Sequence, residues 1–223
     1  MNGKRKSKCT HGDDMKREQL QLVEKYSKAQ MDKLGLYGWP HVKRVLHLCV
    51  RMARMSREKH VDLDVLKASA LLHDIAKHLH KKDTAFDHGD MGAKLAEAFL
   101  EECRLDRGKI DAICHAIRAH THFEEPISVE AKILHDADFL DKLGAVGIAT
   151  VFIKACLTNV TIEEVLESFE LESEKRSFVM KHIGWIKNPH LYTETAQNIA
   201  EKRNNIVSAF FGELKKEVEL KDV

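Results

Sequence analysis

The chain has 223 residues, a length that predicts one domain or one domain with an appendage. Its 36 Lys and Arg against 35 Asp and Glu leave a formal net charge of +1, so no global field favours nucleic acid. The chain has only three Pro and 11 Gly, which are too few turn formers for a β-sandwich or barrel. Because 43% of its residues are hydrophobic and so few of them break helices, we expect an all-α fold.

The first 14 residues are basic and almost devoid of apolar side chains, and such a segment cannot repay its ordering entropy by burial. We therefore expect a disordered basic leader over 1–14 and a folded domain over 15–223. Within that domain we expect a core of about 38–150 and a helical C-terminal extension over 151–223. A first helical pattern runs from Met15 to Leu36.

Two helices are expected to form the centre of the fold. Pro40 suits the first turn of a helix that continues from His41, where apolar residues recur with helical spacing. Asp62 suits the N-cap of a helix over Leu63–Ala76, whose segment LKASALL is apolar nearly all round and predicts the most buried helix. The polar stretch KHLHKKDTAFDHGD that follows predicts a loop.

Helical patterns continue to the end of the chain, and no strand alternation of useful length interrupts them. The further helices are expected over Met91–Cys103, around Ile110–Ile117, over Ser128–Leu143 and Ala145–Leu157, after a Thr161 cap, over Glu174–Ile186 and over Thr193–Leu220.

The chain contains 14 His, and the pair His73-Asp74 closes the helix that is otherwise apolar. About one His-Asp dipeptide is expected by chance in such a chain, and a second one occurs at His135-Asp136. At a buried helix end, however, an imidazole and a carboxylate must be paired or must bind something. A hydrogen-bonded cap and a metal site both satisfy that requirement.

Other potential metal ligands also fall on core-facing positions. His41 precedes the apolar stripe of its own helix, His120 extends the stripe that begins at Ile110, and Asp138 lies between apolar neighbours. One such residue is more often a satisfied core group than a ligand. Several converging on one core are costly unless a cation neutralises them.

Taken together, His41, the His73-Asp74 pair and Asp138 in KILHDADFLDKLGAVGIA resemble the H…HD…D metal signature of the HD-superfamily phosphohydrolases. The resemblance covers roughly residues 20–215 and implies an all-helical HD-domain bundle with additional C-terminal helices. HGDMGAKLAEAFL and DADFLD with GAVGIA are similar to segments of the nucleotide pyrophosphohydrolase branch. AIRAHT resembles the HD enzymes that cleave diadenosine tetraphosphate and hold two metals. Thr150 stands where an Arg commonly follows GIA, so the chain departs from the family pattern at this position.

The resemblance implies a metal site of His41, His73, Asp74 and Asp138, with Asp74 also catalytic because it can orient the attacking water. Such an N2O2 set suits one or two ions of Mn, Fe, Co, Ni or Zn, and Mg is also compatible. The remaining roles are expectations: His88 and His120 as second-metal or phosphate ligands, and Lys77, Lys81, Lys82 and Asp141 as substrate-binding residues. His88 is equally well read as an ordinary loop histidine, and the lysines as solvated loop charges.

A divalent ion activates water and polarises a phosphoryl oxygen, so the sequence predicts a metal-dependent phosphohydrolase. The chain has no G-x-x-x-x-G-K-[ST] loop, no G-x-G-x-x-G motif and no nucleophile elbow. The expected substrate is a nucleotide, cut at a phosphoanhydride of a nucleoside triphosphate with release of pyrophosphate. Hydrolysis of a dinucleoside polyphosphate or a nucleoside monophosphate, and a non-catalytic nucleotide-sensing role, remain alternatives.

The expected compartment and partners depend on three features that we do not find in the sequence: a membrane span, a secretory signal and paired cysteines. No apolar run approaches the roughly 20 residues of a membrane span, and no segment has the order of a secretory signal. The five cysteines are scattered without a C-x-x-C pair. We expect a soluble cytoplasmic protein that binds no membrane, has no built surface for nucleic acid and is compatible with a homo-oligomer.

Overall fold

The computed structural model describes residues 15–32, 34–56, 60–79, 87–121, 124–170, 183–184, 186–187 and 189–221. The described residues are mainly helical and contain no strand, which confirms the all-α expectation. The helices are α1 (Arg17–Met31), α2 (Trp39–Met55), α3 (Leu63–Leu72), a 3₁₀ helix (Lys77–Leu79), α4 (His88–Glu102), α5 (Arg107–Ala119), α6 (Val129–Asp141), α7 (Gly144–Leu157), α8 (Ile162–Glu170) and α9 (Glu194–Val218).

α3 is the central helix, as its sequence predicted. Seven of its ten residues are buried. Leu66 and Ala70 belong to an apolar cluster that they share with α2, α5, α6, α7, α8 and α9. Leu71 and Leu72 belong to a second cluster, with α1, α2, α4 and α5. Because α3 packs on both sides, its C-terminal end lies between two halves of the core.

Short side chains decide where several helices begin. Asp62 accepts hydrogen bonds from the backbone N–H of Asp64 and Val65 and caps α3, as expected. Asp87 accepts from Gly89 N and starts α4 at His88, three residues before the expected start at Met91. The loop expected through Asp90 therefore ends before α4, and His88 is the first residue of that helix, not a loop histidine.

Some expectations fall outside the described residues. They are the leader over 1–14, the polar stretch 80–86 that includes Lys81 and Lys82, and most of the helix expected from Glu174 to Ile186. None of the described helices combines the length and apolar content that crossing a membrane requires. The four cysteines among the described residues are free thiols: Cys49, Cys103, Cys114 and Cys156.

Candidate metal centre

Six potential ligands meet at the end of α3, each placed there by a helix terminus. His41 lies in the first turn of α2, His73 is the C-cap of α3, and Asp74 follows it. His88 is the first residue of α4, His120 is the C-cap of α5, and Asp138 lies in the last turn of α6. Five of these residues are at least 97% buried, and His88 is partly exposed.

His41, His73 and Asp138 form one possible ligand cluster. His41 Nε2 lies 3.3 Å from Asp138 Oδ1 and 3.4 Å from His73 Nε2. Asp74 Oδ2 faces the same cluster, 3.5 Å from His41 Nε2 and 3.4 Å from His73 Nε2. The structure thus brings together the four residues that the sequence predicts to hold a metal.

Asp74, His88 and His120 form a second possible cluster. Asp74 Oδ1 lies 3.5 Å from His88 Nε2 and 3.5 Å from His120 Nε2. Asp74 therefore turns one carboxylate oxygen to each cluster, and a single side chain can serve two ions.

The buried histidines are oriented by what their other ring nitrogen contacts. His73 Nδ1 lies 2.8 Å from Ala70 O, and His120 Nδ1 lies 2.5 Å from Ile117 O. Because a carbonyl oxygen can only accept, Nδ1 is the protonated nitrogen in both rings. Nε2 then presents its lone pair to the cluster, which is the arrangement found in histidines that bind metal.

Three buried polar atoms of the two clusters have no hydrogen-bond partner among the described residues: Asp74 Oδ1, Asp138 Oδ1 and His120 Nε2. Unpaired buried acceptors are costly, and few survive in native structures. Carboxylate oxygens and imidazole nitrogens at this spacing are suitable ligands for divalent transition-metal ions. The residues present therefore fit a divalent metal centre.

The pKa directions at the site follow from burial and charge. Burial raises the pKa of Asp74, but Lys77 and His73 outweigh it and hold the pKa well below the usual value. The pKa of Asp138 is likewise well below its usual value, because Lys142 and His41 outweigh burial. Both carboxylates are thus ionised at neutral pH, as metal ligands must be.

The histidines divide into two groups. Burial lowers the pKa of His73, and burial together with His120 lowers the pKa of His88 to about 3, so both rings stay neutral. Burial also lowers the pKa of His41, but hydrogen bonds with Asp138, Asp141 and Asp74 outweigh burial and raise it to about 9. The three carboxylates around His41 thus favour a positive charge at this point of the core.

Asp141 does not face the two clusters. Its Oδ2 accepts a 2.7 Å hydrogen bond from His41 Nδ1, and its carboxylate also accepts from Arg44 Nε and Nη2 at 2.7 and 2.9 Å. These contacts place Asp141 behind His41 and give no support to the expectation that it binds substrate. The sequence interpretation missed Arg44, although it lies one helical turn after His41 on α2.

Two lysines lie on the rim of the centre. Lys77 Nζ donates to Asp74 Oδ2 at 2.6 Å, and Lys142 Nζ donates to Asp138 Oδ2 at 2.5 Å. Lys77 thus lies against a carboxylate shared by the two ligand clusters. The site is identified by its potential metal ligands and not by a large cavity. Two cavities of about 520 and 870 Å³ lie elsewhere, and none of the six potential ligands lines them.

Residues 38–143 match the model of the HD domain. The chain is 27% identical over 195 residues to the uncharacterised protein YpgQ of Bacillus subtilis, covering 84% of this chain and 87% of YpgQ. It is 35% identical over 102 residues to Ribonuclease Y of Chloroflexus aurantiacus, but these residues are only 18% of that protein.

Solved structures share the fold. A predicted HD-superfamily hydrolase from an uncultured Thermotogales bacterium matches with a TM-score of 0.59 and 29% identity, over 90% of this chain and 91% of that one. YpgQ of Bacillus subtilis in complex with ADP matches with a TM-score of 0.63 and 20% identity, over 90% of this chain and 95% of that one.

Proposed function

Residues 38–143 of this chain form an HD domain, and from that premise we propose that the chain is a metal-dependent phosphohydrolase that hydrolyses a phosphoanhydride of a nucleoside triphosphate and releases pyrophosphate. The observation that carries the proposal is the position of Asp74, whose two oxygens face two separate sets of imidazole nitrogens.

The proposed centre holds up to two divalent transition ions. His41, His73 and Asp138 hold one ion, His88 and His120 hold the other, and Asp74 belongs to both. The bound ions supply Lewis-acid activation of water and of a phosphoryl oxygen. Asp74 and Asp138 stay ionised across the neutral range and supply the negative charge that retains the ions.

The other polar groups of the site position these ligands and the substrate. Asp141 holds the imidazole of His41 through Nδ1, so that Nε2 points to the centre. Lys77 fixes one oxygen of Asp74, and its exposed part places an ammonium group where a phosphate of the substrate enters. Lys81 and Lys82 follow Lys77 in the sequence and lie outside the described residues, and they stay proposed substrate-binding residues on the sequence alone.

A nucleotide substrate is favoured by what is known of the relatives and by the charge of the rim. A phosphoanhydride carries several negative charges, and Lys77 and Lys142 lie against the carboxylates that face the metals. The YpgQ structure contains ADP. The match to Ribonuclease Y covers a small part of that protein and adds an RNA phosphodiester to the substrates that must be tested.

The decisive experiment incubates the purified protein with Mn, Fe, Co, Ni, Zn or Mg and a panel of substrates. The panel contains nucleoside triphosphates, a dinucleoside polyphosphate, nucleoside monophosphates and a short single-stranded RNA. Phosphate and pyrophosphate are quantified separately, and the nucleotide product is identified by chromatography. We expect pyrophosphate and a nucleoside monophosphate from a triphosphate, and no turnover by Asp74→Ala.

The control is Asp111→Ala, which removes an exposed carboxylate on α5 far from the centre and is expected to keep full activity. Cleavage of only a monoester or of RNA would overturn the proposed substrate and leave the metal centre standing. Nucleotide binding without turnover in every metal would favour the sensing alternative.

A further inference from the structure

A lysine that the metal centre does not use lies close to its entrance. Lys154 on α7 is only 2% exposed, and its Nζ lies 5.0 Å from the centroid of the Tyr37 ring. The Tyr37 ring in turn packs edge-on against His41, with 5.4 Å between the ring centroids. Tyr37 therefore connects the ammonium group of Lys154 to the first ligand cluster.

Lys77 contacts the same aromatic ring. Its Nζ lies 4.3 Å from the Tyr37 centroid while it donates to Asp74 Oδ2. Tyr37 thus contacts two ammonium groups from different parts of the chain, and Lys142 lies beside them on Asp138. Lys77 and Lys142 each pair with a carboxylate of the centre, and Lys154 brings a third ammonium group to the same aromatic ring as Lys77.

The pKa of Lys154 is lowered by its burial and by the two neighbouring lysines. Burial, Lys142 and Lys77 lower its pKa to about 7. Lys154 lies on the buried face of α7 with Val151 and Ala155, a position that lysine rarely occupies in helices. Thr150, one turn earlier on the buried face of α7, carries no charge, so Lys154 supplies the cation of this face.

We propose that Lys154, together with Lys77 and Tyr37, forms a subsite for a phosphoryl group of the substrate other than the one attacked at the metal centre. The proposal rests on the proposed function and specifies it further. A phosphoryl group offers several acceptor oxygens and can accept from both ammonium groups at once. The subsite makes the protein selective for di- and triphosphates over substrates with a single phosphate.

The first test measures binding without turnover. Inorganic pyrophosphate is titrated calorimetrically into the metal-loaded wild type, Lys154→Met, Lys154→Arg and Lys94→Met. Lys94 is an exposed lysine on α4, so its variant controls for the loss of one positive charge. We expect the dissociation constant to rise at least tenfold in Lys154→Met, and to change less than threefold in Lys154→Arg and Lys94→Met.

The second test compares two substrates on the same variants. For Lys154→Met, kcat/KM of a nucleoside triphosphate is expected to fall at least ten times more than that of the single-phosphate reporter bis(p-nitrophenyl) phosphate, mainly through KM. Metal content, measured by elemental analysis, is expected to match the wild type.

The outcomes separate the two proposals. Unchanged pyrophosphate affinity in Lys154→Met, or an equal loss with both substrates, overturns the subsite. A wild type that binds pyrophosphate through Lys154 but hydrolyses no nucleotide overturns the proposed reaction and retains the subsite. Loss of metal in Lys154→Met assigns the residue to the structure of the centre and also overturns the subsite.

Discussion

At the scale of the residue, the site depends on carboxylates whose two oxygens do different things. Asp74 divides its oxygens between two groups of histidines, and Asp141 divides its oxygens between a histidine and an arginine. In the proposed metal centre, the first arrangement sets the number of ions, and the second orients one ligand. Each has a consequence that can be measured separately.

The number of ions follows from the sharing of Asp74. Asp74→Ala removes an oxygen from both clusters and is expected to lose the metal of both, while the helical circular dichroism persists. His120→Ala removes one ligand of the second cluster only and is expected to retain about half of the metal. Elemental analysis of protein purified without chelator gives the stoichiometry of each variant.

Full metal retention in His120→Ala with lost activity would instead assign His120 to the substrate or to proton transfer. Wild-type metal content in Asp74→Ala would contradict the assignment of the centre itself.

The orientation of His41 depends on Asp141. Asp141→Asn keeps the size of the side chain but weakens the hold on His41 Nδ1, and metal affinity is expected to fall about 10–100-fold. Competition with a chromophoric chelator measures the affinity. Arg44→Met is the matched comparison, because it removes the partner of Asp141 without touching His41, and a smaller loss is expected.

A loss in Asp141→Asn that appears as lower thermal stability without any change in metal affinity would show that Asp141 only supports the fold. Equal losses of affinity in the two variants would show that charge, and not the bond to His41, is what matters.

At the scale of the element, the second His-Asp pair, His135-Asp136, connects two helices, whereas the first, His73-Asp74, belongs to the candidate metal centre. Asp136 is fully buried on α6 and accepts hydrogen bonds from Tyr192 N, Thr193 N and Thr193 Oγ1, between 2.7 and 2.9 Å. Thr193 is the N-cap of α9. Asp136 therefore attaches α9 to the core, on the side of α6 away from Asp138, as the helical rotation between the two residues predicts.

Removal of Asp136 is expected to loosen α9 without affecting the metal. Asp136→Ala leaves two partly buried backbone N–H groups without their acceptor, and the free energy of unfolding is expected to fall by about 2–4 kcal/mol. Urea denaturation measures the change, with Asp111→Ala as the exposed control. A parallel loss of bound metal would place Asp136 in the centre instead.

The helices themselves were largely predictable, because apolar stripes and capping residues are local signals. α2, α5, α6 and α7 follow their stripes, and Asp62 caps α3 as expected, although α3 ends at Leu72 and not at Ala76. The start of α4 was wrong by three residues because one side-chain cap at Asp87 outweighs the polar composition around it. The stripes also predicted that His41, His120 and Asp138 would face the core, and all three are buried.

Contacts over long sequence distances were not predictable in this way. Asp141 and Arg44 are 97 residues apart, and no periodicity connects them. Lys154 did leave a signal, since it is a charged residue within the buried stripe of α7, but its neighbour Tyr37 lies in a turn without any pattern. The ligands of a centre are thus easier to predict than the residues that orient them or bind the substrate.

At the scale of the whole molecule, the candidate centre joins the two halves of the core. Among the helices that carry its ligands, α6 contributes to the first apolar cluster, α4 to the second, and α2, α3 and α5 to both. An ion that binds only the folded chain therefore stabilises both halves together.

Removal of the metal is accordingly expected to lower the melting temperature of the whole chain in one transition. An ion present at 100 times its dissociation constant adds about 2.7 kcal/mol, which corresponds to about 5–11 °C for a chain of this size. Differential scanning calorimetry before and after dialysis against a chelator measures the shift, and Asp74→Ala should show none. Two separate transitions after dialysis would contradict the coupling of the two halves.

The charge of Lys154 adds a pH dependence to the stability of the whole molecule. The pKa is about 7 in the folded chain, where burial, Lys142 and Lys77 lower it, against an ordinary value of 10.5. Below pH 7 both states carry the proton, and the folded state bears the full cost of the buried charge. Between pH 7 and about 10.5 the unfolded state binds more protons, so this contribution to stability rises with pH. Lys154→Met removes the cost and is expected to raise the melting temperature by about 2–8 °C at pH 6, the shift given by 1–2 kcal/mol, and by progressively less towards pH 10.

The measurement compares thermal unfolding of Lys154→Met, Lys94→Met and the wild type from pH 6 to pH 10 in a buffer without phosphate. Lys94→Met should match the wild type throughout, because that lysine is exposed. A Lys154→Met variant that melts below the wild type at pH 6, by an amount independent of pH, would show that Lys154 serves packing against Tyr37. A variant that is more stable at pH 6 yet binds pyrophosphate more weakly would show that the buried lysine destabilises the fold and that its benefit is substrate binding.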